Sequence, residues 1–177
     1  MKKKFIVLTV TVGVLLLAVV GGTVAWIVDH SNEVVNSFTV GDVSITLTET
    51  TGDKYPITPG LTLEKDPTVT VKAGSDACYL FVKIEKSSDF DTFMTYHLTD
   101  GWTLLSEADG VYYRLLPKTE SDTAYPVLKN HHIRVKETVT EEELDAVRVN
   151  PKMSFTAYAI QQTGFDTAEL AWNELKG

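Results

Sequence analysis

Phe38-Thr39-Val40-Gly41-Asp42-Val43-Ser44-Ile45-Thr46-Leu47 carries two alternating sets of apolar residues. Phe38 and Val40 fall on even positions, and Val43, Ile45 and Leu47 on odd ones. Strand side chains alternate between faces with a period of two, so each set marks one face of a half-buried strand. The phase slips at Gly41-Asp42. A β-bulge or strand break there is expected to return both sets to the same side.

The same grammar extends along the chain. Val69 and Val71 alternate with Thr68, Thr70 and Lys72. Ala73-Gly74-Ser75-Asp76 reads as a turn before Cys78-Tyr79-Leu80-Phe81-Val82-Lys83-Ile84, in which Cys78, Leu80, Val82 and Ile84 share a face. Further strands are expected near 93–99, 111–116, 131–137 and 152–161, with Asp100-Gly101 and Asp109-Gly110 supplying turns. The chain is mostly all-β, and short strands at this rate suggest a β-sandwich, a jelly roll or a partly open barrel. Two short helices interrupt it. Thr140-Glu141-Glu142-Glu143 is a capping box, with Val139 and Leu144 at the staple positions. The second helix is expected over 166–175, capped by Asp166, with Ala168, Ala171, Trp172 and Leu175 on one face. Trp172 is the apolar anchor that would dock it on the sheet.

The start of the chain has a different character. Lys2, Lys3 and Lys4 precede an apolar run from Phe5 to Val20, followed by Gly21-Gly22-Thr23-Val24-Ala25-Trp26. A basic segment, an apolar segment and small residues at Thr23 and Ala25 form an export signal helix with a cleavage site before Trp26. An uncut membrane anchor is the competing reading, because extension to Val28 would just span a bilayer. The domain plan is therefore a signal peptide over 1–25, a mature N-terminal segment over 26–36 and a β domain over 37–177. Cleavage leaves 152 of 177 residues and removes three of 16 cations and no acid. The mature chain then holds 13 Lys and Arg against 24 Asp and Glu, a net charge of −11. Such a balance argues against nucleic acid and anionic membranes as partners.

Chemistry-bearing motifs are sparse. His30, His97, His131 and His132 include no His-Glu-x-x-His pair. His132 alternates with Arg134 and Lys136, which suits a solvated face. Asp89, Asp91 and Asp100 lack the spacing of a calcium loop. There is no Gly-x-Ser-x-Gly elbow and no phosphate-cradling loop. Cys78, the sole cysteine, reads as a buried small hydrophobe, with an intermolecular disulfide as the alternative. No catalytic residue, metal site or cofactor is implied.

The order of these segments resembles the TasA/camelysin family of secreted bacterial proteins. Gly22-Thr23-Val24-Ala25-Trp26-Ile27-Val28-Asp29 is similar to the family's signal junction, although Trp26-Ile27-Val28 replaces the commoner Tyr-Phe-Thr type of stretch. Asn36-x-Phe38-Thr39-Val40-Gly41-x-Val43-x-Ile45-x-Leu47-x-Glu49 is similar to its first long strand. Segments 59–69, 77–84, 155–161 and 164–172 also match, whereas 86–150 matches weakly. The resemblance implies a jelly roll, cutting by a SipW-type signal peptidase, and a cell-surface or extracellular matrix location in a biofilm. It implies self-assembly into fibres in which an N-terminal strand of one subunit completes the sheet of the next. Trp26, Ile27, Val28, Val34 and Val35 are then the candidate donor-strand side chains, a disordered mature terminus or an intramolecular edge strand being the alternatives. Other matrix subunits are possible partners. Competing functions are a camelysin-like surface metalloprotease, for which no ligand spacing can be named, and an accessory binding module of another fibre that recognises glycans or a fibre subunit.

Overall fold

The computed structural model describes residues 36–51, 57–146 and 151–176. The strands, in chain order, are β1 (Asn36–Val40), β2 (Ile45–Thr48), β3 (Thr62–Glu64), β4 (Thr68–Val71), β5 (Cys78–Lys86), β6 (Met94–Leu98), β7 (Thr103–Leu104), β8 (Val111–Leu116), β9 (Thr123–Pro126), β10 (Leu128–Val135) and β11 (Met153–Gln161). The helices are α1 (Phe90–Phe93), α2 (Glu141–Ala146) and α3 (Ala168–Lys176). The mostly-β reading holds. Among the described residues one more helix is present than expected: the segment between β5 and β6 forms α1 and buries Phe90 and Phe93.

One layer is a five-stranded sheet in the order β1-β11-β5-β8-β7. Its pairings are antiparallel except β1 with β11, which is parallel. The other layer comprises β3-β10-β6 and β2-β4-β9. These two triplets are stitched together where Val127 N–H donates to Pro67 O and Thr99 N–H donates to Val127 O, each at 2.9 Å. The register of β10 shifts between Leu128 and Ile133, where Asn130 and His131 adopt φ of 57° and 58°. That irregularity lets β10 start three residues before the expected strand, and the expected alternation holds beyond it: Ile133 and Val135 are buried, while His132, Arg134 and Lys136 share the more exposed face.

The core lies between the layers. Cys78, Leu80, Val82 and Ile84 of β5 meet Val69 and Val71 of β4 and Ile133 and Val135 of β10. Full burial of a Val, Leu or Ile side chain contributes roughly 1.5–3 kcal/mol, so these residues dominate the hydrophobic stabilisation. Ala157 and Ala159 of β11 are fully buried, and their small side chains let the layers approach closely.

A second cluster covers the opposite face of the five-stranded sheet. Tyr79, Phe81, Val111 and Ile160 are buried there beneath Ala168, Ala171 and Trp172 of α3. Both faces of β5 are therefore covered, which explains why five consecutive residues from Cys78 to Val82 are buried. Trp172 docks the helix as expected. The cap is Thr167 rather than Asp166: Thr167 Oγ1 accepts from Leu170 N–H at 3.3 Å. An N-cap oxygen reaches the amides two or three residues on, and Asp166 stands one position too early. At α2 the capping box is closed in both directions. Thr140 N–H donates to Glu143 Oε2 at 2.9 Å and Glu143 N–H donates to Thr140 Oγ1 at 3.2 Å. Val139 and Leu144 are buried beside it.

The phase slip at Gly41 has a different outcome from the one expected. Val43, Ile45 and Leu47 are buried in the core, but Phe38 and Val40 are 52% and 48% exposed. Gly41-Asp42 is a crossing between layers: β1 joins the five-stranded sheet, and β2 joins the other. The two apolar sets therefore serve different surfaces.

Candidate functional site

The N-terminal edge of the five-stranded sheet is the most distinctive surface. β1 is its terminal strand, held to β11 by the register Asn36↔Thr156, Phe38↔Tyr158 and Val40↔Ile160. The other edge of β1 has no paired strand among the described residues. An edge strand presents a row of backbone donors and acceptors that can pair with another chain.

Its attachment is built around an aromatic row. Phe38, Tyr158, Phe81 and Tyr113 are directly opposite one another on β1, β11, β5 and β8. Phe38 stacks on Tyr158 with ring centroids 5.2 Å apart. Trp172 covers the centre of the row, edge-on to Tyr158 at 5.0 Å and tilted on Phe81 at 5.2 Å. Lys176 Nζ lies 5.8 Å from the Trp172 ring centroid, a cation–π contact that closes the last turn of α3 on its own anchor. The row grips β1 at one position, Phe38, and leaves Val40 half in solvent.

Gly41 ends the strand. Its φ is +83°, and a Cβ there would lie 2.9 Å from both Gln161 Cβ and Gln161 Oε1. Glycine is needed for the left-handed conformation and for the close approach to β11. Beyond it, Asp76 N–H donates to Asp42 O at 3.0 Å, and Ser75 Oγ accepts from Ser44 N–H at 3.1 Å. The hinge is thus anchored on its C-terminal side, while β1 hangs from it by one strand pairing.

The cleavage residues Thr23, Ala25 and Trp26 and the donor-strand candidates Trp26, Ile27, Val28, Val34 and Val35 lie outside the described residues. Asn36, the first described residue, opens β1. Phe38 and Tyr158 were not singled out as site residues from sequence. The alternation of Phe38 with Val40 was visible, but only the register across β1 and β11 brings these rings together.

The chemistry-bearing residues stay dispersed. Among the described residues, no three His, Cys, Asp or Glu side chains are grouped as a metal site. His97 and His131 are exposed. Asp91 takes Lys86 Nζ at 2.7 and 2.8 Å, and Asp89 accepts from Ser87 Oγ. Cys78 is fully buried, and burial pushes its thiol up to about 11, where it is a poor nucleophile at neutral pH. Among the described residues no helix is long and apolar enough to cross a membrane. Comparison of the chain with family models, with curated proteins and with solved structures found no match.

Proposed function

We propose that this chain is an exported structural protein whose mature form assembles into extracellular matrix fibres through its N-terminal strand. The observation that carries the reading is β1 itself. The segment immediately after residues 26–35 is a terminal strand, parallel to β11, with an outer edge unpaired among the described residues and half-exposed Phe38 and Val40. Strand addition uses backbone hydrogen bonds for affinity and alternate side-chain pockets for register. Residues 26–35 run directly into β1, so a strand from one copy can extend onto the sheet edge of the next. A head-to-tail contact of this kind does not close and propagates as a filament.

The jelly-roll assignment belongs to the same proposal. Support comes from the winding: β4, β5, β6, β8, β10 and β11 alternate between the two layers. The parallel pairing of β1 sets that strand apart from the otherwise antiparallel sheets, as befits an element added to a finished sandwich. The resemblance at 22–29 supports export and cutting by a SipW-type peptidase. The net charge of −11 for the mature chain supports a soluble subunit that assembles when repulsion is reduced.

Negative-stain microscopy of mature protein, residues 26–177, concentrated and mildly acidified, tests the reading. Regular filaments are expected, and deletion of Trp26–Val35 should leave a folded monomer that forms none. Filaments that persist after the deletion refute the strand mechanism. Intact protein that stays monomeric, also when mixed with the matrix fraction of its source, refutes the matrix role.

A further inference from the structure

We propose that the cup at the open seam between the two layers, on the side away from β1, is a binding site for a neutral oligosaccharide. The seam lies where β6 of one layer faces β7 and β8 of the other. Neither edge is covered there by another strand among the described residues. The resulting groove has a volume of about 510 Å³, within the ~300–1,000 Å³ typical of ligand sites.

Its lining has the chemistry of polyol recognition. Tyr96 of β6 and Tyr112 of β8 line the groove from opposite sides of the seam. Leu104 of β7 pairs with Tyr112 in register and is 55% exposed, an apolar floor beside the rings. Lys86 Nζ lies 5.3 Å from the Tyr96 ring centroid and binds Asp91. Asp109 stands exposed at the lip, next to Gly110. Gly110 is required where it stands, because a Cβ would come within 2.5 Å of Ile84 O and close the turn against β5.

Three features select the ligand class. The cations are already matched, Lys86 by Asp91 and Lys83 by Glu85 at 2.6 Å, which leaves the Asp109 carboxylate in excess; the cup therefore has no positive charge to spare for a phosphate, and among the described residues no three acidic, His or Cys side chains are grouped for a metal ion. Hydroxyl, ammonium and carboxylate groups converge beside apolar surface, so donors and acceptors can meet sugar hydroxyls while rings and Leu104 meet the C–H face. The strongly acidic mature surface disfavours polyanionic glycans. The site is independent of fibre formation and is assayed on the monomer.

The test is titration of ¹⁵N-labelled mature protein with cellohexaose, chitohexaose, maltohexaose and a heparin hexasaccharide, followed by amide shifts and calorimetry. At least one neutral sugar should bind saturably, with shifts centred on 104, 109–112 and 96. Asp109→Ala and Tyr112→Phe should each weaken it by about tenfold or more while retaining the wild-type melting temperature. Asp109 is exposed and Tyr112→Phe removes only a hydroxyl, so at least one variant stays folded. Failure of all three neutral sugars, shifts elsewhere on the surface, preference for heparin, or unaltered affinity in a folded variant would each overturn the proposal.

Discussion

Trp172→Ala should detach α3 and loosen β1 while leaving the main core standing. Trp172 is 5% exposed and carries the contacts of α3 to Phe81 and Tyr158. Truncating a buried tryptophan to alanine costs about 3–5 kcal/mol. Part of that returns, because Trp172 Nε1 is buried without a hydrogen-bond partner among the described residues, and an unsatisfied donor costs about 1–3 kcal/mol. The net expectation is about 2–3 kcal/mol. A nine-residue helix cannot sustain itself alone in water, so the loss appears first as local opening of α3. At 1.4 kcal/mol per factor of ten, its amides should exchange roughly 30- to 100-fold faster. The amides of β1 should follow to a lesser degree, because Phe38 stacks on Tyr158 and Tyr158 leans on Trp172. Those of β4 and β10, on the far side of the core, should change little. Trp172→Phe, which keeps a ring on Phe81 and removes the orphan donor, should recover most of the protection. Hydrogen exchange read by mass spectrometry on the three proteins decides the matter. Equal loss of protection throughout both layers, or unchanged exchange in α3, refutes the view that the outer aromatic cluster is a separable unit.

Three further outcomes follow from single positions. Gly41→Ala places a Cβ at φ +83° and 2.9 Å from Gln161 Cβ; it should cost about 1–2 kcal/mol and speed amide exchange in β1, and wild-type exchange there would show that the hinge does not need glycine. Asp66 is raised by burial but brought down to about 2 by hydrogen bonds from Thr50 and Thr51. Its folded pKa lies below the ordinary 3.8, so its contribution is present above pH 4 and lost as pH falls through about 2; because the group is only partly buried, about 1 kcal/mol is expected rather than the full shift, and urea melts of wild type and Asp66→Asn should converge as the pH drops below 2. Cys78 should resist iodoacetamide at pH 8 in the folded protein and react only in denaturant, since burial holds its thiol near 11; rapid labelling of native protein would place it at an accessible surface.

Much of the fold was legible because it is governed by local chemistry. The capping box at Thr140–Glu143 is a contact within one turn, and it closed as its residues require. The strand at 111–116 was readable from flanking turn residues, and Gly110 supplies the positive φ before it. α1 was missed because four residues carry too little periodicity to distinguish a helical turn from a loop, and its two phenylalanines acquire a core only from the neighbouring strands. The cap of α3 was misplaced by one residue, since Asp166 and Thr167 are both good N-caps and the docking of Trp172 chooses between them.

The candidate assembly edge divides in the same way. Sequence by itself determined that apolar residues alternate through 38–47, that the phase breaks at Gly41, that Cys78 shares a face with Leu80 and Val82, and that Trp172 anchors an amphipathic helix. Each follows from backbone geometry that repeats every two or 3.6 residues. Only the tertiary structure decided which layer each strand joined. Phe38 and Val40 have the pattern of core residues, yet they stand at an edge because β1 runs parallel beside β11, and β2 crosses to the other layer. The aromatic row likewise exists only in register, since Phe38, Phe81, Tyr113 and Tyr158 are separated by tens of residues and meet through strand pairing. Periodicity specifies a face; pairing between distant strands specifies what that face meets, and that choice is made by the competition among whole layers for the same buried area.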